Sequence, residues 1–126
     1  MYACFNIWQK LHMDNYRTAA TLLKALAHHV RLRMVDLLRR EPECVCHLSA
    51  ALGKPQPYVS QQLAILRNAG VIVDVREGTN VFYRLAGAGI TRQVEAACGP
   101  LAAGEAGRHQ RVAGCGCPKC TAGPCK

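Results

Sequence analysis

The chain has 126 residues, half of them hydrophobic, and a formal net charge of +8. That length suggests one small domain whose modest core is often completed by dimerisation, and it argues against a large enzyme with a deep pocket. No run approaches the roughly 18 apolar residues of a membrane span, and Lys10 follows the apolar residues of Met1–Lys10 instead of preceding them, so no secretory pattern is expected.

Ten basic and five acidic residues fall within 17–86, and the excess continues after residue 104. A basic core favours a polyanionic partner, of which nucleic acid is the usual one, although a solvated basic surface satisfies the same charge. Eight cysteines in a chain read as cytoplasmic point to metal or redox chemistry in a reducing compartment, not to a disulfide framework.

Residues 1–13 read as an N-terminal extension. Met13-Asp14 opens a cleaner helical pattern, so translation starts at Met1 or at Met13, and the second choice removes Cys4. Residues 14–26 read as a first helix with Leu22, Leu23 and Leu26 on one face. Val30, Met34, Leu37 and Leu38 carry the apolar spacing through a second helix that ends near Arg40. Arg39 and Arg40 suit the negative end of its dipole, and Pro42 follows as a stop.

A short third helix is expected over 44–52, closed by Gly53. Pro57 then sits in the first turn of a fourth helix, where its missing N–H is tolerated. Val59, Leu63 and Leu66 lie at i, i+4 and i+7 and should face the core, with Gly70 as the terminator. Two helices joined by a short Gly-containing turn form a helix-turn-helix. Val71–Val75 and Val81–Leu85 are rich in β-branched and aromatic residues and flank Glu77-Gly78-Thr79-Asn80, which predicts a β-hairpin wing. A last helix over 90–98 would serve dimerisation. The expected architecture is therefore mainly α with a small β-hairpin, a dimeric winged helix-turn-helix over 14–98, and a flexible Cys-rich tail over 99–126.

If Val59, Leu63 and Leu66 point inward, then Tyr58, Ser60, Gln61, Gln62 and Arg67, with Gln56 at the helix start, are wholly or partly outward. Gln can pair bidentately with adenine, and Ser, Tyr and Arg reach phosphates or bases. Arg76 and Arg84 flank the wing and are candidates for phosphate or minor-groove contact; either serves equally as a surface ion-pair partner, the reading favoured for Arg84.

These residues carry a family resemblance. Ala25-Leu26-Ala27-His28-His29-Val30-Arg31-Leu32-Arg33, the run from Val59 to Gly70, and Arg76-Glu77-Gly78 through Tyr83-Arg84-Leu85 resemble the ArsR/SmtB winged-helix repressors in the right order, over roughly residues 16–86. The resemblance implies a homodimer that represses transcription and leaves double-stranded operator DNA when an inducer binds. His28-His29 stands where that family usually has Asp-Pro, which removes the common N-cap of the second helix. Gln62 replaces a frequent His.

Cys44-Val45-Cys46-His47-Leu48 resembles the Cys-Val-Cys-Asp-Leu inducer site of the arsenic- and cadmium/lead-sensing branches. The chemistry fits: thiolates are ligands for soft ions, and a helix N-terminus favours thiolate. Residues i and i+2 are about 200° apart on a regular helix, so both can bind one ion only where the backbone is non-helical. The inducer is thus expected to be a thiophilic ion, arsenite or antimonite (As(III)/Sb(III)) or Cd(II)/Pb(II), with no organic cofactor. His47 reads as a surface histidine, with a fourth-ligand role as the alternative.

The third ligand is open. The resemblance would place it shortly after the pair, where this chain has Ser49. Cys4 is one candidate, because N-terminal cysteines complete the cadmium/lead-type site from the other subunit. Cys98 is another, and so are Cys115, Cys117, Cys120 and Cys125, four thiols kept accessible by Gly and Pro. The tail cluster reads as a second site, a metal-capture arm or the missing ligand. The family's zinc site in the last helix needs Asp-x-His and His-x-x-Glu, and Thr91-Arg92-Gln93 supplies neither; His12, His28, His29 and His109 read as non-ligands. Persulfide or oxidant sensing by a cysteine pair, such as Cys46 with Cys98, is the alternative on the same fold, and metal buffering without DNA reading is a third. Nothing pairs a nucleophile with a base, so no enzyme is expected.

Overall fold

The computed structural model describes residues 15–105, 107, 112, 115, 116 and 120. Helix α1 spans 15–26. It buries Ala25 and Leu26 and half-buries Leu22. Leu23, expected on the same face, is instead 57 % exposed, as is Tyr16 at 66 %. Only the last turn of α1 meets the core, so its remaining apolar residues face outward.

Helix α2 (His29–Leu38) starts with a cap that the sequence pattern did not suggest. His28 is extended (φ −155°, ψ 127°), and its Nδ1 accepts the N–H of Val30 at 3.2 Å. The imidazole thus supplies the acceptor that Ser, Thr, Asp or Asn normally gives at this position. It stacks on the His29 ring with centroids 5.0 Å apart. Val30, Met34, Val35 and Leu38 are the buried stripe of α2. Arg39 closes the helix by pairing with Asp36 at 2.6 Å and donating from Nη1 to the carbonyl of Gly99 at 2.6 Å, which ties α2 to the end of α5.

After Pro42 the chain makes a one-residue bridge. Glu43 and Tyr83 exchange both backbone hydrogen bonds, at 3.0 and 2.8 Å. Helix α3 (Val45–Leu52) follows at once and ends on Gly53 in the left-handed region (φ 64°), where glycine is at ease. The Ser49 hydroxyl donates across this turn to the Lys54 carbonyl. Helix α4 (Gln56–Asn68) has Pro57 in its first turn and turns Val59, Leu63 and Leu66 into the core.

Strands β1 (Ile72–Glu77) and β2 (Asn80–Leu85) pair antiparallel from Ile72↔Leu85 to Glu77↔Asn80. The hairpin loop is therefore two residues, Gly78-Thr79, tighter than the four expected. Gly78 at φ 62° allows that reversal, and β-pairing absorbs the flanking pair. Helix α5 (Ala88–Cys98) begins two residues before the expected start and buries Val94.

The core joins all of these elements: Met34, Leu48, Val59, Leu66, Val71 and Val94 are wholly inaccessible to solvent. Each fully buried side chain of that size stabilises the fold by about 1.5–3 kcal/mol. Helix-turn-helix α3–α4 followed by the β1–β2 hairpin is a winged helix-turn-helix, as the sequence implied. Among the described residues, no helix is long and apolar enough to cross a membrane.

Candidate functional site

The outward face of α4 is built by the same spacing that builds its core stripe. Gln56, Ser60, Gln61 and Arg67 are exposed and Tyr58 is half-buried, with Lys54 Nζ 6.0 Å from its ring centroid. Arg76 and Arg84 project from the wing into solvent. Gln62 departs from the expected outward placing. It is 9 % exposed, and its Oε1 accepts from Arg31 Nη1 at 2.8 Å. Arg31 also donates to the Ala25 carbonyl, so this guanidinium bolts α1, α2 and α4 together. An Arg with an inward acceptor within reach outcompetes a solvated Gln, because a charged donor left unmet near the core is costly.

Cys44 and Cys46 sit where α3 begins. Cys44 is the N-cap, extended at φ −86° and ψ 165°, and its sulfur accepts the N–H of His47 at 3.4 Å. The non-helical backbone needed for an i, i+2 pair to share an ion is thus present at the first of the two residues. A sulfur at a helix N-terminus is also placed where negative charge is favoured. Cys44 is buried and Cys46 half-buried. An open cleft between this turn and the wing tip is lined by Cys44, Cys46, Thr79, Asn80, Val81 and Gly116.

Part of the expected flexible tail packs here. Cys115 is buried with Cys44 and Phe82, with Cys46 and Cys120 against them. Cys115 Sγ lies 3.6 Å from Cys46 Sγ. Upstream, the Gly107 N–H donates to the Arg40 carbonyl, which turns the segment after α5 back toward the α2–α3 junction.

His47 corrects the expectation of a surface histidine. It is 2 % exposed, with Nδ1 3.3 Å from Cys120 Sγ and 3.6 Å from Glu43 Oε2. The one-turn rotation from the cap directs it under the helix, into space that Glu43, Cys115 and Cys120 enclose. The Glu43-x-x-x-His47 spacing was the available signal, but nothing in the sequence said that residues some 70 positions later would wall it in. The ligand atoms of His47, Cys115 and Cys120 all lie within 4.8 Å of one another.

Cys98 is exposed at the end of α5 and lies outside this group. The Ser49 hydroxyl is engaged in the turn at Lys54. Cys4, Cys117, Cys125, His12 and His109 lie outside the described residues. The donor set that is present fits a thiophilic ion: thiolates and imidazole suit soft and borderline metals. The 3.6 Å sulfur pair also matches the edge of about 3.8 Å expected for two thiolates on one tetrahedral ion with bonds of ~2.3 Å.

Comparison with known proteins places the chain among bacterial regulators. Residues 28–73 match the family described as "Bacterial regulatory protein, arsR family". The arsenic resistance transcriptional regulator ArsR1 of Pseudomonas putida is 47 % identical over 75 residues, 59 % of this chain and 59 % of that protein. The chain thus spans about three-fifths of the length of that relative. Among solved structures, the transcriptional repressor BigR of Xylella fastidiosa is 35 % identical with a TM-score of 0.60, covering 70 % of this chain and 87 % of that one. The homodimeric winged helix-turn-helix domain of Mb0332 from Mycobacterium bovis is 30 % identical with a TM-score of 0.64, covering 68 % and 79 %.

Proposed function

The chain belongs to the arsR family of bacterial regulatory proteins, and from that premise we propose that it is a cytoplasmic, homodimeric transcriptional repressor whose hold on operator DNA is released by a thiophilic ion at Cys44 and Cys46. The family is one of transcriptional regulators, not of enzymes. The observation that carries the reading is the extended N-cap at Cys44, which sets two thiols at the head of the helix packed against α4. Arsenite or antimonite, and cadmium or lead, are the ion classes that two or more thiolates favour. Arsenite has the support of the Pseudomonas putida relative's name.

The chain's own residues supply the coupling. Exposed Gln56, Ser60, Gln61 and Arg67, with half-buried Tyr58, form the face offered to the major groove, and Arg76 offers a phosphate contact. Leu48 of α3 packs in one core with Leu63 and Leu66 of α4, so a tilt of α3 displaces the reading helix. Glu43, one residue before Cys44, is hydrogen-bonded in both directions to Tyr83 of the wing. A shift of the Cys44 backbone therefore reaches both DNA-contacting elements without an intermediary. A bound ion supplies bonds to sulfur that compete with the His47 N–H now directed at Cys44. The exposed apolar residues of α1, Tyr16 and Leu23, support dimerisation as a surface a second copy could cover.

The test is fluorescence anisotropy of the reduced protein on its own upstream DNA at one fixed salt concentration, because phosphate contacts make affinity salt-dependent. Arsenite, cadmium, lead and zinc are titrated in parallel with Cys44→Ser/Cys46→Ser. Release of the wild type and not of the variant is expected. DNA binding that no ion reverses would sink the metal reading. A redox reading then takes its place, and the 3.6 Å approach of Cys46 to Cys115 favours that pair over Cys46 with Cys98. In it the two thiols give two electrons and two protons to an oxidant such as a peroxide or a persulfide.

A further inference from the structure

Three side chains that the inducer pair does not include already stand at metal-ligand spacing. His47, Cys115 and Cys120 bring one nitrogen and two sulfurs within 4.8 Å of one another. They come from α3 and from a segment about 70 residues later, and His47 and Cys115 are buried. Cys46 Sγ is 3.6 Å from Cys115 Sγ but outside the group whose atoms all lie within 4.8 Å, so it must move in to become a fourth ligand. Cys44 differs from Cys46 in kind, because its sulfur is occupied as the acceptor that caps α3.

We infer that the tail closes a four-ligand site inside one chain, with His47, Cys115 and Cys120 as three ligands and Cys46 as the fourth, for a tetrahedral divalent cation of the zinc or cadmium type. The inference shares Cys46 with the proposed inducer pair and rests on that reading for its fourth ligand alone. One imidazole with three thiolates is the donor set of closed, four-coordinate zinc sites. A nitrogen ligand separates this site from a trivalent metalloid site, which is satisfied by thiolates. Glu43 places a buried carboxylate 3.6 Å from His47 Nδ1 and bonds by its backbone to Tyr83. Closing the site therefore fixes the tail, the head of α3 and the wing as one body.

For this divalent site Cys46 is the shared ligand, and the Cys44 sulfur stays on the His47 N–H until the inducer binds. The test is a cobalt(II) titration of the reduced, metal-free full chain without DNA, read in the near-ultraviolet thiolate-to-cobalt band and the visible bands of tetrahedral cobalt. One equivalent with tetrahedral bands is expected, displaced by zinc or cadmium. Cys115→Ser/Cys120→Ser should lose affinity beyond the ~10–100-fold typical of an outer-shell partner. Cys46→Ser should lower the thiolate band by about a third, as one of three thiolates. Cys98→Ser, exposed at the end of α5 and outside the cluster, should leave both bands in place, and His47→Gln should shift the visible bands. Because His47 is buried and its variant can unfold, half-buried Cys120→Ser, checked for helicity, carries the same decision.

Unchanged cobalt spectra in Cys115→Ser/Cys120→Ser, or their loss in Cys98→Ser alone, would overturn the site. The two readings fail separately. A cobalt site with no ion-dependent release from DNA sinks the repressor reading and leaves this site standing. Arsenite release that survives Cys115→Ser/Cys120→Ser, with no cobalt site, does the reverse.

Discussion

The outward face of α4, proposed to read DNA, and the thiol cluster at the head of α3 sit on adjacent helices but are made in opposite ways. The α4 face is local: one period of 3.6 residues sorts Val59, Leu63 and Leu66 inward and Ser60, Gln61 and Arg67 outward. The cluster is non-local: His47 and Cys46 meet partners 73 and 69 residues away. The first is decided by helix geometry and survives most single changes at the surface. The second exists only if the whole domain and the returning segment fold together. DNA reading should therefore be robust and ion sensing fragile.

The harshest way to break the comparison is to damage the core that both share. Met34 is completely buried beneath α3 and α4, so Met34→Ala should cost about 2–5 kcal/mol in urea unfolding. DNA binding and ion response should fail together. Loss of one with full retention of the other would show that the two regions do not depend on a common fold.

A sharper test lies within α4 itself. Gln62→Ala strips the acceptor from Arg31 and should lower stability by about 1–3 kcal/mol. Its exposed neighbour Gln61→Ala should leave stability within about 0.5 kcal/mol while weakening discrimination for the operator by about 1–3 kcal/mol. Urea unfolding and anisotropy on the two variants separate these roles, and interchanged results would mean that Gln62 turns outward on DNA. Arg76→Ala, exposed on the wing, should reduce the slope of log affinity against log salt by about 1. An unchanged slope would remove the wing from the interface.

The smallest expected effect comes from His28. Its pKa is held below the ordinary 6.5 by desolvation first and then by Arg31 and His29, and the cap needs the neutral ring because Nδ1 accepts from Val30. A folded pKa below the unfolded one means that the unfolded chain binds the proton more readily. The cap's contribution is therefore whole above the unfolded value and is lost as pH falls through the folded one. Melting temperature should drop between about pH 8 and about pH 5.5, and less in His28→Asn, which keeps a capping acceptor that does not titrate. Equal drops would place the pH dependence elsewhere.

How far each feature could be read in advance follows the same division. Helices α2 to α4 and the hairpin announced themselves through apolar period, Pro57, Gly53 and Gly70, because those signals act over one turn or one strand. The Cys44-Val45-Cys46 motif at the head of α3 was equally visible. Leu23 and Gln62 were misplaced by pattern alone, since α1 touches the core only at its end and Arg31 draws Gln62 inward. His28 as a cap was hidden because imidazole is a rare acceptor at that position.

What the sequence determined by itself is the order of elements, the family and the presence of two thiols at the head of the helix-turn-helix. Each is a property of neighbouring residues, whose spacing fixes which side of a helix or strand they occupy. Only the tertiary structure decided that Glu43 joins the wing, that His47 is buried, and that Cys115 and Cys120 come to it. Those contacts depend on where a connecting segment turns after α5, held by Gly99 on Arg39 and Gly107 on Arg40. No local rule carries that information, because the energy that selects the turn is spread over groups distant in the chain.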